Sequence, residues 1–304
     1  SGVVQLTTGV GLDEANSGSI AVRTAFSERG ASGTINVETG SADDGASGSV
    51  HISTGDSKDS GSVHLRVGAS SSSVAGSISV IAGQSQQATG GDVHIESGAA
   101  VSGTSGEVNV RSSDSDSSGS ISLVSGTATE GASGAVALRS GAATDGQSGA
   151  VVVETGSSLQ AGDISLSAGA STGSSATGAA IDLTSGSALL GKSGTVTIAS
   201  AAGQASGEVV LTTGSSSLGA AGDVTIATGD AQANGESGSI GLAVGRSETA
   251  DAGAILLSAG QSAMAKGGAI TLTSGASAHD TSGDIAISTA SGAIASGSIS
   301  VATA

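Results

Sequence analysis

The chain has 304 residues, with 52 Gly, no Pro, Cys, Trp or Tyr, one Phe (Phe26) and one Met (Met264). Aromatic burial, on which conventional cores rely, is out of reach, and no disulfide framework can exist. Twenty-six acidic against 9 basic residues, a formal charge of −17, argue against nucleic acid and anionic membrane surfaces as partners, and there is no run of about 18 apolar residues for membrane insertion.

From Gly2 onward a single motif recurs twenty-one times: Gly-small-[Ile/Val]-x-[Leu/Ile/Val]-x-[Thr/Ser/Ala/Val]-Gly, at intervals of about 15 residues. Its opening glycines are Gly2, Gly18, Gly33, Gly48, Gly61, Gly76, Gly91, Gly106, Gly119, Gly134, Gly149 and Gly162; Ala179 fills the slot once; then come Gly194, Gly207, Gly222, Gly238, Gly253, Gly268, Gly283 and Gly297. Within Gly48-Ser49-Val50-His51-Ile52-Ser53-Thr54-Gly55, apolar and polar residues alternate. A period of two predicts a strand with Val50 and Ile52 inward and Ser49, His51 and Ser53 outward. Ile35/Val37, Val63/Leu65, Ile121/Leu123, Val136/Leu138, Val224/Ile226 and Ile270/Leu272 repeat the pattern. The bracketing glycines predict turns that need positive φ or close backbone approach, and helix is excluded. The absence of Pro leaves every N–H available to a hydrogen-bond ladder.

Linkers of 5 to 9 residues, rich in Ser, Ala, Gly, Asp and Gln, join the motifs, as in Asp114-Ser115-Asp116-Ser117-Ser118. A short period over a whole chain predicts an all-β parallel β-solenoid, one continuous array over residues 1–304 without distinct caps. Two repeats, about 30 residues, form one coil in this reading, so that two facing sheets meet across about 10 Å. A second period lies above the first. The closing glycine is replaced at Ala25, Ser113, Ala201 and Ala290, spaced 88, 88 and 89 residues apart. The resulting superperiod of six repeats, about 88 residues, admits two or three strands per coil. Outward charges leave that choice open. Glu38, Arg66 and Glu96 alternate in sign in every second repeat, whereas Arg23/Glu38, Glu96/Arg111 and Arg139/Glu154 are complementary between consecutive repeats.

No chemical constellation emerges: there are no candidate catalytic, cofactor-binding or metal-binding residues. His51, His64 and His94 share an outward slot, with Glu96 near His94, and His279 lies in a linker; this is a solvated face without zinc-site spacing. The acidic pairs Asp13/Glu14, Asp43/Asp44, Asp56/Asp59 and Asp114/Asp116 are turn residues that could hold divalent cations weakly, without a calcium loop. Gly191-Lys192-Ser193-Gly194 lacks the upstream half of a phosphate-binding loop. The outward pairs Thr195/Thr197 and Thr271/Thr273 have no uniform threonine rank around them of the kind an ice-binding face uses. Asn16, Asn36, Asn109 and Asn234 all lie outside glycosylation sequons.

The repeats Ser-Gly-Ser-Ile-Ser-Val (296–301) and Ser-Gly-Ala-Val-Ala-Leu (133–138) resemble the Gly/Ser/Ala-rich β-solenoid proteins of extracellular fibres and adhesin stalks, along the entire chain. The resemblance implies a structural, non-enzymatic role at the cell surface or outside the cell: a filament or layer whose copies associate end to end. A carbohydrate-, mineral- or ice-binding module is the alternative, as is the passive stalk of a larger adhesin. The chain starts at Ser1-Gly2 on a repeat boundary and stops at Thr303-Ala304, where a repeat ends, so the expectation is a processed product or a section of a longer protein.

Overall fold

Each motif in the structure, a computed structural model, is an irregular segment, and most are followed by a bend in the linker. Residues 2–13, 15–173, 177–232 and 235–303 are described; Ser1, Glu14, Asn234 and Ala304, which figured in the sequence reading, lie outside them. Among the described residues there is neither helix nor β-strand. The β-solenoid is thereby overturned, and with it the two-strand coil and the facing sheets. Eight backbone–backbone hydrogen bonds are present among these residues, where a folded chain of this length would hold about 200.

The physical reason lies in what the few bonds do. In five repeats, the opening glycine donates its N–H to the carbonyl of the preceding closing glycine: Gly91 to Gly83, Gly106 to Gly98, Gly194 to Gly186, Gly268 to Gly260 and Gly283 to Gly275, at 2.9–3.0 Å. Ala179 does the same across the longest linker, to Gly169 at 3.3 Å. Each bond closes the mouth of one linker. None continues along the motif as a ladder, so the alternating segments stay unpaired.

The same closure explains the opening glycine. The side chain just before the closing position lies against it. A Cβ on Gly76 would come within 3.0 Å of Val67 Cγ1, on Gly253 within 3.1 Å of Val244 Cγ1, and on Gly33 within 3.3 Å of Thr24 Cγ2. This pre-closing position is the most covered in the repeat: Thr24, Ala82, Ser97, Ser112, Ser125, Ser185, Ala259 and Ser274 are half-buried. Around the closing glycines from Gly9 to Gly275 there is open space, which accords with the replacements at Ala25, Ser113, Ala201 and Ala290. Of the two reasons expected for the bracketing glycines, close approach is the one seen, at opening glycines such as Gly76 and Gly253; among the described residues the positive φ values fall in linkers, at Asp13, Gly103 and Gly131.

Linkers turn by a simple rule. The second residue after the closing position is Ser, Ala or Gly in all twenty linkers. Where it is serine, the hydroxyl oxygen commonly accepts the backbone N–H three residues on: Ser27 from Gly30, Ser70 from Ser73, Ser85 from Ala88, Ser216 from Gly219, Ser247 from Ala250, Ser262 from Ala265 and Ser277 from Asp280, at 2.8–3.2 Å. This is the local turn bond that serine offers in place of regular structure. Where it is glycine, the chain doubles back so tightly that a Cβ on Gly11 would meet the Ala15 carbonyl and one on Gly292 the Ala295 carbonyl.

Contacts divide the chain into two units, Ser1–Val152 and Val153–Ala304. Six of the nine bends of the first carry charge, among them Glu28, Arg29, Asp43, Asp44, Lys58, Asp59, Asp116, Glu130 and Asp145. Bends of the second carry aliphatic tips: Leu159, Leu189, Leu190, Leu218, Met264 and Ile294 are all fully exposed.

Candidate interaction surface

The aliphatic pair of each motif was expected to be a core. It is a surface instead. From Ile20 to Ile285 the first member is 50–65% exposed, and from Val22 to Ile287 the second is 67–79% exposed. No hydrophobic residue is buried among those described. The inward assignment of the pair is thereby overturned: both members stand in water, the first better sheltered than the second. In all, the chain of 27.9 kDa keeps 30,407 Å² accessible. A globular protein of that mass exposes about 11,000 Å² and its unfolded chain about 40,000 Å². Two aliphatic side chains in fifteen residues, with Phe26 the one aromatic ring of the chain, do not cover themselves within one chain.

The face opposite the aliphatic pair is polar and charged. His94 Nε2 lies 3.0 Å from Glu96 Oε2, two residues away. That contact requires both side chains on one side of the segment, away from Val93 and Ile95, as alternation demands. Arg246 donates to Glu248 at 2.7 Å in the linker between Gly245 and Gly253, again between residues two apart. Both pairs are largely solvent-exposed, where ion pairs stabilise by about 0–1 kcal/mol.

The histidines and acids singled out in sequence do not assemble. No group of three His, Cys, Asp or Glu side chains able to hold a metal occurs among the described residues, and His64 joins His94 in no such group. A shallow depression of about 430 Å³ is lined by Ser125, Gly126, Thr127, Ala128, Gly131 and Ser133, which offer neither charge nor nucleophile activation. No helix among the described residues is long and apolar enough to cross a membrane.

Two features escaped the sequence reading. One is the pre-closing side chain seated on the next opening glycine, whose signal is the restriction of that slot to Thr, Ser, Ala and Val. The other is the serine turn bond, whose signal is the Ser/Ala/Gly restriction two residues past each closing position. Comparison with known proteins finds no matching family, no matching curated protein and no matching solved structure.

Proposed function

We propose that the chain is a structural protein, a subunit or segment of an extracellular fibre or cell-surface layer, and that its copies cohere through their aliphatic pairs. One observation carries this reading: apolar pairs stand exposed in every repeat along the chain. Monomeric proteins rarely leave contiguous apolar patches larger than a few hundred Å² in water. A surface that recurs every 15 residues or so is matched in period by a second copy of itself. Placement outside the cell is supported by the chemistry of what is missing, since a chain with no Cys, one Met and one Phe offers little to oxidation.

Sedimentation and electron microscopy of the purified full chain test the proposal. Concentration-dependent growth into fibres or sheets is expected; discrete particles that never associate would overturn it.

A further inference from the structure

We infer that the bends at Asp44-Gly45 and Asp145-Gly146 are modification sites, where the backbone rearranges spontaneously from aspartate to isoaspartate through a cyclic imide. The rearrangement needs no enzyme and no reagent but water, and neither site depends on the association of copies.

The bond changes are local. The amide nitrogen of the glycine attacks Cγ of the aspartate before it, and an N–Cγ bond forms. The nitrogen gives up its proton and the carboxyl its hydroxyl, which leave together as water. The resulting five-membered succinimide is then opened by water at one of its two carbonyls. Cleavage of the N–Cγ bond restores aspartate. Cleavage at the α-carbonyl leaves the chain running through the side chain, as isoaspartate. Nothing is oxidised or reduced, and the water released is taken back.

Ring closure requires a following residue that does not crowd the nitrogen. Aspartates within the motifs fail this condition: Asp92, Asp163, Asp182, Asp223 and Asp284 precede Val93, Ile164, Leu183, Val224 and Ile285. Asp44 and Asp145 precede glycine, in bends where all four residues are exposed. Nothing lies within 4 Å of the place a Cβ would take on Gly45 or Gly146. Glycine also gives the backbone the freedom to bring nitrogen and Cγ together.

Closure further requires an amide that is not committed to a hydrogen bond, and here the turn residue decides. Gly45 and Gly146 stand three residues after the position whose serine hydroxyl accepts an N–H in other linkers. At these two linkers that position is Ala42 and Ala143, which have no hydroxyl to offer. Among the described residues neither glycine N–H has an acceptor. Gly30 and Gly219 occupy the same place but donate to Ser27 and Ser216, at 3.1 and 3.0 Å, and follow Arg29 and Leu218. In none of the seven linkers with the serine bond does an aspartate precede the held N–H. Glu130-Gly131, after Ala128, repeats the arrangement with one more methylene, so its ring would have six members and closes more slowly. Isoaspartate lengthens the bend by one main-chain carbon and keeps its charge. Linkers that range from 5 to 9 residues absorb that change, so the mark accumulates with age while the repeat persists.

Incubation of the full-length chain in heavy-oxygen water at neutral pH tests both sites, since each passage through the imide installs one heavy oxygen. Peptide mapping with fragmentation then locates label and isoaspartate. Asp44 and Asp145 should convert about tenfold faster than Asp163 or Asp223, with Glu130 unlabelled. Ala42→Ser supplies the missing acceptor and should slow Asp44 about threefold while leaving Asp145 at the native rate. Equal labelling of Asp44 and Asp163, or none at either Asp-Gly bend, would overturn the sites. An unchanged rate at Asp44 in the Ala42→Ser chain would overturn the free N–H as what selects them.

Discussion

A glycine at the start of each motif and one at its end look equivalent in the sequence, yet they answer to different constraints. Gly253 accommodates the Val244 side chain that precedes it, with a would-be Cβ 3.1 Å from Cγ1, whereas Gly245 faces open space. Gly253→Ala should therefore displace Val244, shifting its methyl resonances and those of the Gly245–Gly253 linker. Gly245→Ala should leave them in place. Equal perturbation by the two variants, read by NMR, would contradict the close approach as the reason for glycine. Serine divides in the same way: Ser262 accepts the Ala265 N–H at 2.9 Å, while a serine such as Ser49 within a motif serves only as a small polar spacer.

At the level of the element, the motif is an alternating segment that lacks a partner. Had Val136 been enclosed, an aspartate there would have left an unpaired buried charge. Val136 is 65% exposed, so Val136→Asp and Ala137→Asp should leave the isolated chain equally unaffected. Their difference should surface on association. Val136→Asp removes an aliphatic contact of about 1.5–3 kcal/mol from a covered row, weakening assembly at least tenfold by sedimentation, and Ala137→Asp should not. Matching association constants for the two variants would mean that the aliphatic pair is not the adhesive surface. The linker is the complementary element. It tolerates lengths of 5 to 9 residues because its turn depends on the residue two past the closing position and, in six linkers, on one bond at the mouth, both indifferent to what lies between.

Across the whole molecule, a formal charge of −17 sets copies against one another while the exposed aliphatic pairs favour their association. Salt separates the two. Raising ionic strength from 0.01 M to 0.15 M shortens the screening length from about 30 Å to about 8 Å, which relieves repulsion between copies more than it weakens contacts at touching distance. Assembly followed by light scattering should strengthen over that range. Assembly that dissolves on adding salt would show that charge pairing, and not aliphatic contact, holds copies together.

Much was legible in the residues alone: the twenty-one repeats, the six-repeat superperiod, the absence of helix among the described residues, and which side chains share a face at His94 and Glu96, which are in contact. These follow from local chemistry, since a period of two puts residues i and i+2 on one side in any outstretched segment. Whether such segments pair within the chain is a question about surfaces far apart in sequence, and alternation cannot answer it. Only the tertiary structure decided that six of the linkers close with a single mouth bond, that the pre-closing side chain settles on the next glycine, and that Val50, Ile52 and their counterparts remain in water. Pairs of aliphatic residues mark a face as apolar; they do not specify what covers it, because a single chain so poor in large side chains has too little apolar surface to enclose a core of its own.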